Sequence, residues 1–149
     1  MELIKNWKDF LKKKQDFDDN DIQYITDLFE YFLEELFINK DINKEDLDFS
    51  IKIDKPKVIK AQIIINPNII VNGRGGSMVR KQVMYDILKS KEMETLRDQI
   101  KRNYNLFDTS DEIAKMKNNI SRVKHLSREM QNLMMIEQSG TILFTITNP

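Results

Sequence analysis

Leu47-Asp48-Phe49-Ser50-Ile51-Lys52-Ile53-Asp54 alternates apolar and polar side chains without interruption. Successive side chains of a strand point to opposite faces, so this stretch predicts a half-buried strand with Leu47, Phe49, Ile51 and Ile53 inward. Lys55-Pro56 predicts a turn and Val58 to Ile65 a second strand. Asn66-Pro67-Asn68 is a further break before Ile69-Ile70-Val71. Ile142, Phe144 and Ile146 alternate with Leu143, Thr145 and Thr147, which predicts a last strand that ties the C-terminal residues to the sheet. The expected fold is α+β: a small antiparallel sheet of about three to four strands, including the C-terminal one, packed with about four to five helices, one of them long.

Helical periodicity fills the remaining sequence. Residues 2–14 predict a short amphipathic helix with Leu3, Ile4, Trp7, Phe10 and Leu11 on one face and Lys12-Lys13-Lys14 at its C-terminal end. Asp16 to Asp21 supplies an N-cap and first-turn acids for a helix over roughly 20–38. Its apolar positions, Ile22, Ile25, Leu28, Phe29, Phe32, Leu33, Leu36 and Phe37, span about half the circumference, wider than the usual stripe. Such a helix lies either at the centre of a domain or beneath another chain. Ser77 is expected to cap a helix through about Ser90, with Val79, Val83, Ile87 and Leu88 inward. A continuation or second helix uses Met93, Leu96 and Ile100, and residues 103–108 read as a break.

Thr109-Ser110-Asp111-Glu112 has the form of a capping box and opens the longest predicted helix, to about Glu137, with Gln138-Ser139-Gly140 as its stop. Ile113, Met116, Ile120, Val123, Met130 and Met134 follow its apolar spacing. A straight helix of about 28 residues would be roughly 42 Å long, against about 38 Å for a compact domain of this size. It therefore spans or leaves the domain, or bends near Asn118-Asn119 or His125.

Length and composition fit one domain over residues 1–149: an acidic helical part (1–40), a sheet (47–72 and 141–147) and a second helical part (77–137). There is no cysteine, which removes disulfides and thiolate chemistry. The first residues lack the basic start and apolar run of a signal peptide, and the longest apolar stretch is broken by Pro67. The expectation is a cytoplasmic protein without membrane contact, or one within a viral particle assembled in the cytoplasm. Heavy use of Ile, Asn and Lys points to an AT-rich genome, such as that of a low-GC bacterium, its phages or another AT-rich virus.

Net charge is zero, yet residues 1–50 carry −7 and residues 51–102 carry +7. These halves either neutralise each other within the fold or face outward, toward nucleic acid, an acidic partner or further copies stacked head to tail.

Asn72-Gly73-Arg74-Gly75-Gly76-Ser77 is the densest glycine cluster. With Arg80 and Lys81 it offers a candidate contact for an anion or a nucleic-acid backbone through Arg74, Gly75, Gly76, Ser77, Arg80 and Lys81. It matches neither the dinucleotide nor the Walker pattern, and a tight turn is the competing reading. Aromatic residues for base stacking are scarce in the basic stretch, and Ser90-Lys91 lacks the glycine of a helix-turn-helix. Asp16, Asp18, Asn20 and Asp27 are better explained by helix capping than by a calcium loop. His125 has neither a cysteine nor a second histidine to work with, so no catalytic, metal or cofactor site is expected.

The leading expectation is a non-enzymatic structural or assembly subunit of a larger complex, such as a phage or viral particle. It would bind a protein partner or its own copies through Phe29, Phe32, Leu36, Phe37, Met116, Val123, Met130 and Met134. Nucleic-acid binding through the basic 51–102 region is the alternative, and an enzyme without a recognisable motif comes third.

Overall fold

The computed structural model describes residues 16–40, 42–108 and 140–149. The helices expected over 2–14 and 110–137 lie outside the described residues. So do His125 and the candidate contacts Met116, Val123, Met130 and Met134. The described residues form three α-helices and a four-stranded sheet. In chain order these are α1 (Asp19–Asn39), a short 3-10 turn (Lys44–Asp46), β1 (Leu47–Lys55), β2 (Val58–Ile65), α2 (Ser77–Leu88), α3 (Lys91–Lys101), β3 (Asn105–Asp108) and β4 (Thr141–Thr147).

The sheet runs β1-β2-β4-β3, and every neighbouring pair is antiparallel. β1 and β2 form the expected hairpin through Pro56-Lys57, with Leu47 opposite Ile65 and Ile53 opposite Ile59. The register shifts between Ile53 and Lys55, so Asp54 is the extra residue of a bulge beside the turn. β4 lies between β2 and β3, with Phe144 opposite both Ala61 and Asp108.

Period-two alternation sets one face of this sheet as the core: Ile59, Ala61, Ile63, Ile65, Ile142, Phe144 and Ile146 are all buried. α1 crosses that face and buries Ile25, Phe29, Phe32 and Leu36 at helical spacing. Phe29 stacks on Phe49 at 4.8 Å between centroids and meets Phe144 edge-on at 5.0 Å. The wide apolar stripe therefore reflects a central helix. Phe29, Phe32 and Leu36 are taken up by the chain's own core, and Ile22, Leu28, Leu33 and Phe37 are half-buried along its margin. Phe29, Phe32 and Leu36, expected on a partner-binding face, are thus packed within the chain's own core.

The ends of α1 are fixed locally. Asp18 accepts from the Asp21 backbone and Asp21 accepts from the Asp18 backbone, at 3.1 and 3.0 Å, a reciprocal capping box. Just before it, the Phe17 amide donates to the Pro56 carbonyl and so ties the helix start to the β1–β2 turn. Tyr104 packs against Phe17 and Tyr24 and donates its hydroxyl to Asp21. Burial, and then the Asp21 carboxylate, push the Tyr104 pKa well above the usual tyrosine range.

Three expectations need correction. Residues 69–71 do not form a strand; only Val71 bridges, to Arg74. Residues 105–108, expected as a break, form edge strand β3, whose Asp108 is buried on the core face. That burial is sustained by Arg97 of α3, whose Nε lies 2.6 Å from the Asp108 carboxylate. Ser77 is the first residue of α2 and does not cap it; the N-cap is Gly76.

A buried serine, where a glycine would be looked for, makes the corner between α2 and α3. Ser90 Oγ donates to the Ile87 carbonyl at 2.6 Å and accepts from the Met93 amide at 3.1 Å, closing one helix while capping the next. Ser90→Ala removes both bonds. It is expected to lower stability by about 1–2 kcal/mol, read as a lower midpoint in chemical denaturation with an unchanged m-value.

Candidate partner-binding surface

Between β2 and α2 the chain makes two successive turns. Asn66 accepts from the Asn68 amide through its side chain and from the Ile69 amide through its carbonyl, and Ile69 is buried as an anchor. Val71 and Arg74 then exchange backbone hydrogen bonds of 2.9 and 3.0 Å around Asn72 and Gly73. Both central residues have positive φ, +54° and +76°, the signature of an Asn-Gly type I′ turn. The glycine cluster is thus a hydrogen-bonded hairpin tip.

The six candidate anion-contact residues are engaged in different ways. Arg74 is exposed at the tip. Gly75 lies against Ile69 and Ile70, while Gly76, at φ +101°, carries the chain into α2 without a side-chain cap on that helix. Ser77 is exposed in the first turn. Arg80 is half-buried with its aliphatic stem laid over Gly140, where an added Cβ would fall 2.6 Å from its Cδ. Lys81 Nζ stands 5.8 Å from the centre of the Tyr85 ring.

The four most exposed apolar residues mark two places. On the hairpin tip and the first turn of α2, Ile70 is 69% exposed and Met78 79%. On α1, Tyr31 is 58% exposed and Ile38 78%, with Tyr24 on the same line at heptad spacing. Sequence reasoning missed both groups. On α1 the missed residues were the apolar side chains left off the wide stripe, which is the signal that finds them.

Tyr31 forms the rim of a groove of about 200 Å³ between α1 and α3. Phe32 and Leu96, both buried, form its floor, and Glu35, Asn39, Lys91 and Glu92 line its walls. The Asn39 amide donates to Glu92 at 2.9 Å and to Glu35 at 3.4 Å, so it spans two carboxylates. A backbone N–H bond, the Asn39 amide and the charge on Lys40 hold the Glu92 carboxyl below its usual range. A second, more polar trough of about 410 Å³ lies on the sheet face turned away from the helices, lined by Ser50, Lys52, Asp54, Lys60 and Gln62. There Lys52 sits directly opposite Lys60, which donates to Thr145 Oγ1 at 2.8 Å.

Charge follows the same division. α1 holds six carboxylates and no Lys or Arg, and none of the six is ion-paired among the described residues. Residues 66–85 hold Arg74, Arg80 and Lys81 and no carboxylate. Among the described residues, no group of three or more histidine, cysteine or acidic side chains converges as for a metal ion, and no helix is long and apolar enough to cross a membrane.

The tip geometry has a direct consequence. Gly73 has open space around its Cα, so Gly73→Ala costs only the left-handed backbone, about 1–2 kcal/mol. Gly75→Ala, without a positive φ, is expected to cost less than half of that in the same denaturation series. Comparison with protein families, with curated proteins and with solved structures finds no match for this chain.

Proposed function

We propose that this protein is a non-enzymatic subunit that assembles with other macromolecules in a larger complex. The observation that carries this reading is the outer surface of α1, where Tyr31 and Ile38 stand exposed among carboxylates that have no cationic counterpart on the helix. Glu34 and Glu35 also lie toward the C-terminal end of α1, where the helix dipole is negative and cations are favoured. A fold that keeps a locally unfavourable charge beside exposed apolar side chains is one whose surface is shaped by contact with something else.

Size-exclusion chromatography of an extract from the native source tests this. The chain is expected to elute well above its 17.7 kDa mass, and the double variant Tyr31→Asp, Ile38→Asp to shift toward the monomer position. Elution of the unaltered chain as a monomer at low salt contradicts the reading.

A second reading, contact with a nucleic-acid backbone, draws support from the carboxylate-free segment 66–85 and from the Lys52–Lys60 pair, since like charges placed directly across a sheet are unfavourable without a counter-ion. Under it, neutralising Arg74 and Lys81 to Gln lowers the slope of log affinity against log salt by roughly 0.9 per lost phosphate contact on duplex DNA. An unchanged slope removes these residues from that role. Arg80 is left out of the variant because its stem is part of the packing over Gly140.

A further inference from the structure

We propose that the hairpin tip of one copy of this chain, carrying Ile70, Arg74 and Met78, docks into the groove between α1 and α3 of a second copy. The inference rests on the assembly reading and names its partner.

Size, polarity and exposure agree in selecting this occupant. The groove of about 200 Å³ falls below the roughly 300 Å³ at which small-molecule sites begin, and its floor is apolar, so it suits one or two protruding side chains. Ile70 and Met78 protrude and flank a cation, and Met78 is unbranched and flexible enough to adapt. The groove walls carry two carboxylates, Glu35 and Glu92, against one cation, Lys91, so the lining is net negative and Arg74 beside the tip is its complement. The high exposure of Ile70 and Met78 also means that the tip does not fill the groove of its own molecule.

Charge further decides the geometry of association. A two-fold contact through α1 would set six carboxylates against six, and one through residues 66–85 would set cations against cations. Tip into groove brings opposite signs together. That contact is heterologous, so copies continue head to tail into a ring or an open chain.

Sedimentation velocity of the full chain at about 5 and about 200 μM tests the proposal over the range of ordinary transient affinities. At low salt the weight-average mass is expected to rise at least twofold between these concentrations, and to fall back at roughly 0.5 M salt, where the Debye length shrinks to a few ångströms. Two variants at exposed positions, Met78→Glu on the tip and Tyr31→Arg on the groove rim, should each stay monomeric alone. Mixed in equal amounts they should form a dimer and nothing larger, because one intact tip then meets one intact groove.

Three results would overturn the proposal: a wild-type chain that stays monomeric at the higher concentration, a single variant that still associates, or a mixture that does not. Circular dichroism of each variant separates lost docking from lost folding. The assembly reading fails separately, by monomeric elution from the native extract, so a chain that is found in a complex but does not self-associate sinks only the choice of partner.

Discussion

Phe29, held between Phe49 and Phe144, is the contact on which the rest of the structure depends. Phe49 belongs to the β1–β2 hairpin and Phe144 to β4, so one side chain of α1 joins both parts of the sheet to the helix layer. With this contact fixed, α1 can turn only one stripe inward, and the other positions are set by rotation. Ile25, Phe32 and Leu36 go to the core, and Tyr31 and Ile38 go to the solvent side. The placement of the exposed residues is thus a consequence of core packing, and the acidic charge of the helix travels with them.

The same logic governs the basic segment. Buried Ile69 anchors the chain after β2, and the type I′ turn then reverses it within four residues, leaving Ile70 and Arg74 exposed on a tip. A hydrogen-bonded tip keeps its side chains in a nearly fixed arrangement before any contact is made, which lowers the ordering cost of binding.

The sheet was largely legible in the sequence, because β1 alternates apolar and polar residues from Leu47 to Asp54 and because β2 and β4 are short, β-branched-rich segments with apolar side chains at every inward position. β3 was not. It has four residues, and one of its two inward positions is Asp108, a residue that reads as surface unless its partner Arg97 is known to lie beside it. The α2–α3 corner escaped for a similar reason: Ser90 does with a hydroxyl what a glycine does with backbone freedom. At the candidate surface, the width of the α1 stripe was visible but its cause was not. Periodicity marks which residues are apolar and leaves open whether a sheet or a second chain covers them. The Asn72-Gly73 pair did carry a hairpin signal, and the surrounding glycines drew attention from it toward anion binding.

The position of β4 has a kinetic consequence. The β1–β2 hairpin closes over a two-residue turn, whereas the β2–β4 ladder at the centre of the sheet joins positions roughly 80 residues apart, the kind of non-local pairing that slows folding. Until β4 arrives, the long edge of β2 is open, with Ile59, Ile63 and Ile65 beside unpaired backbone groups. A nascent or refolding chain therefore passes through a stage in which its most apolar strand can pair with the wrong neighbour, and dilution or a chaperone that shields that edge should raise the yield of native protein.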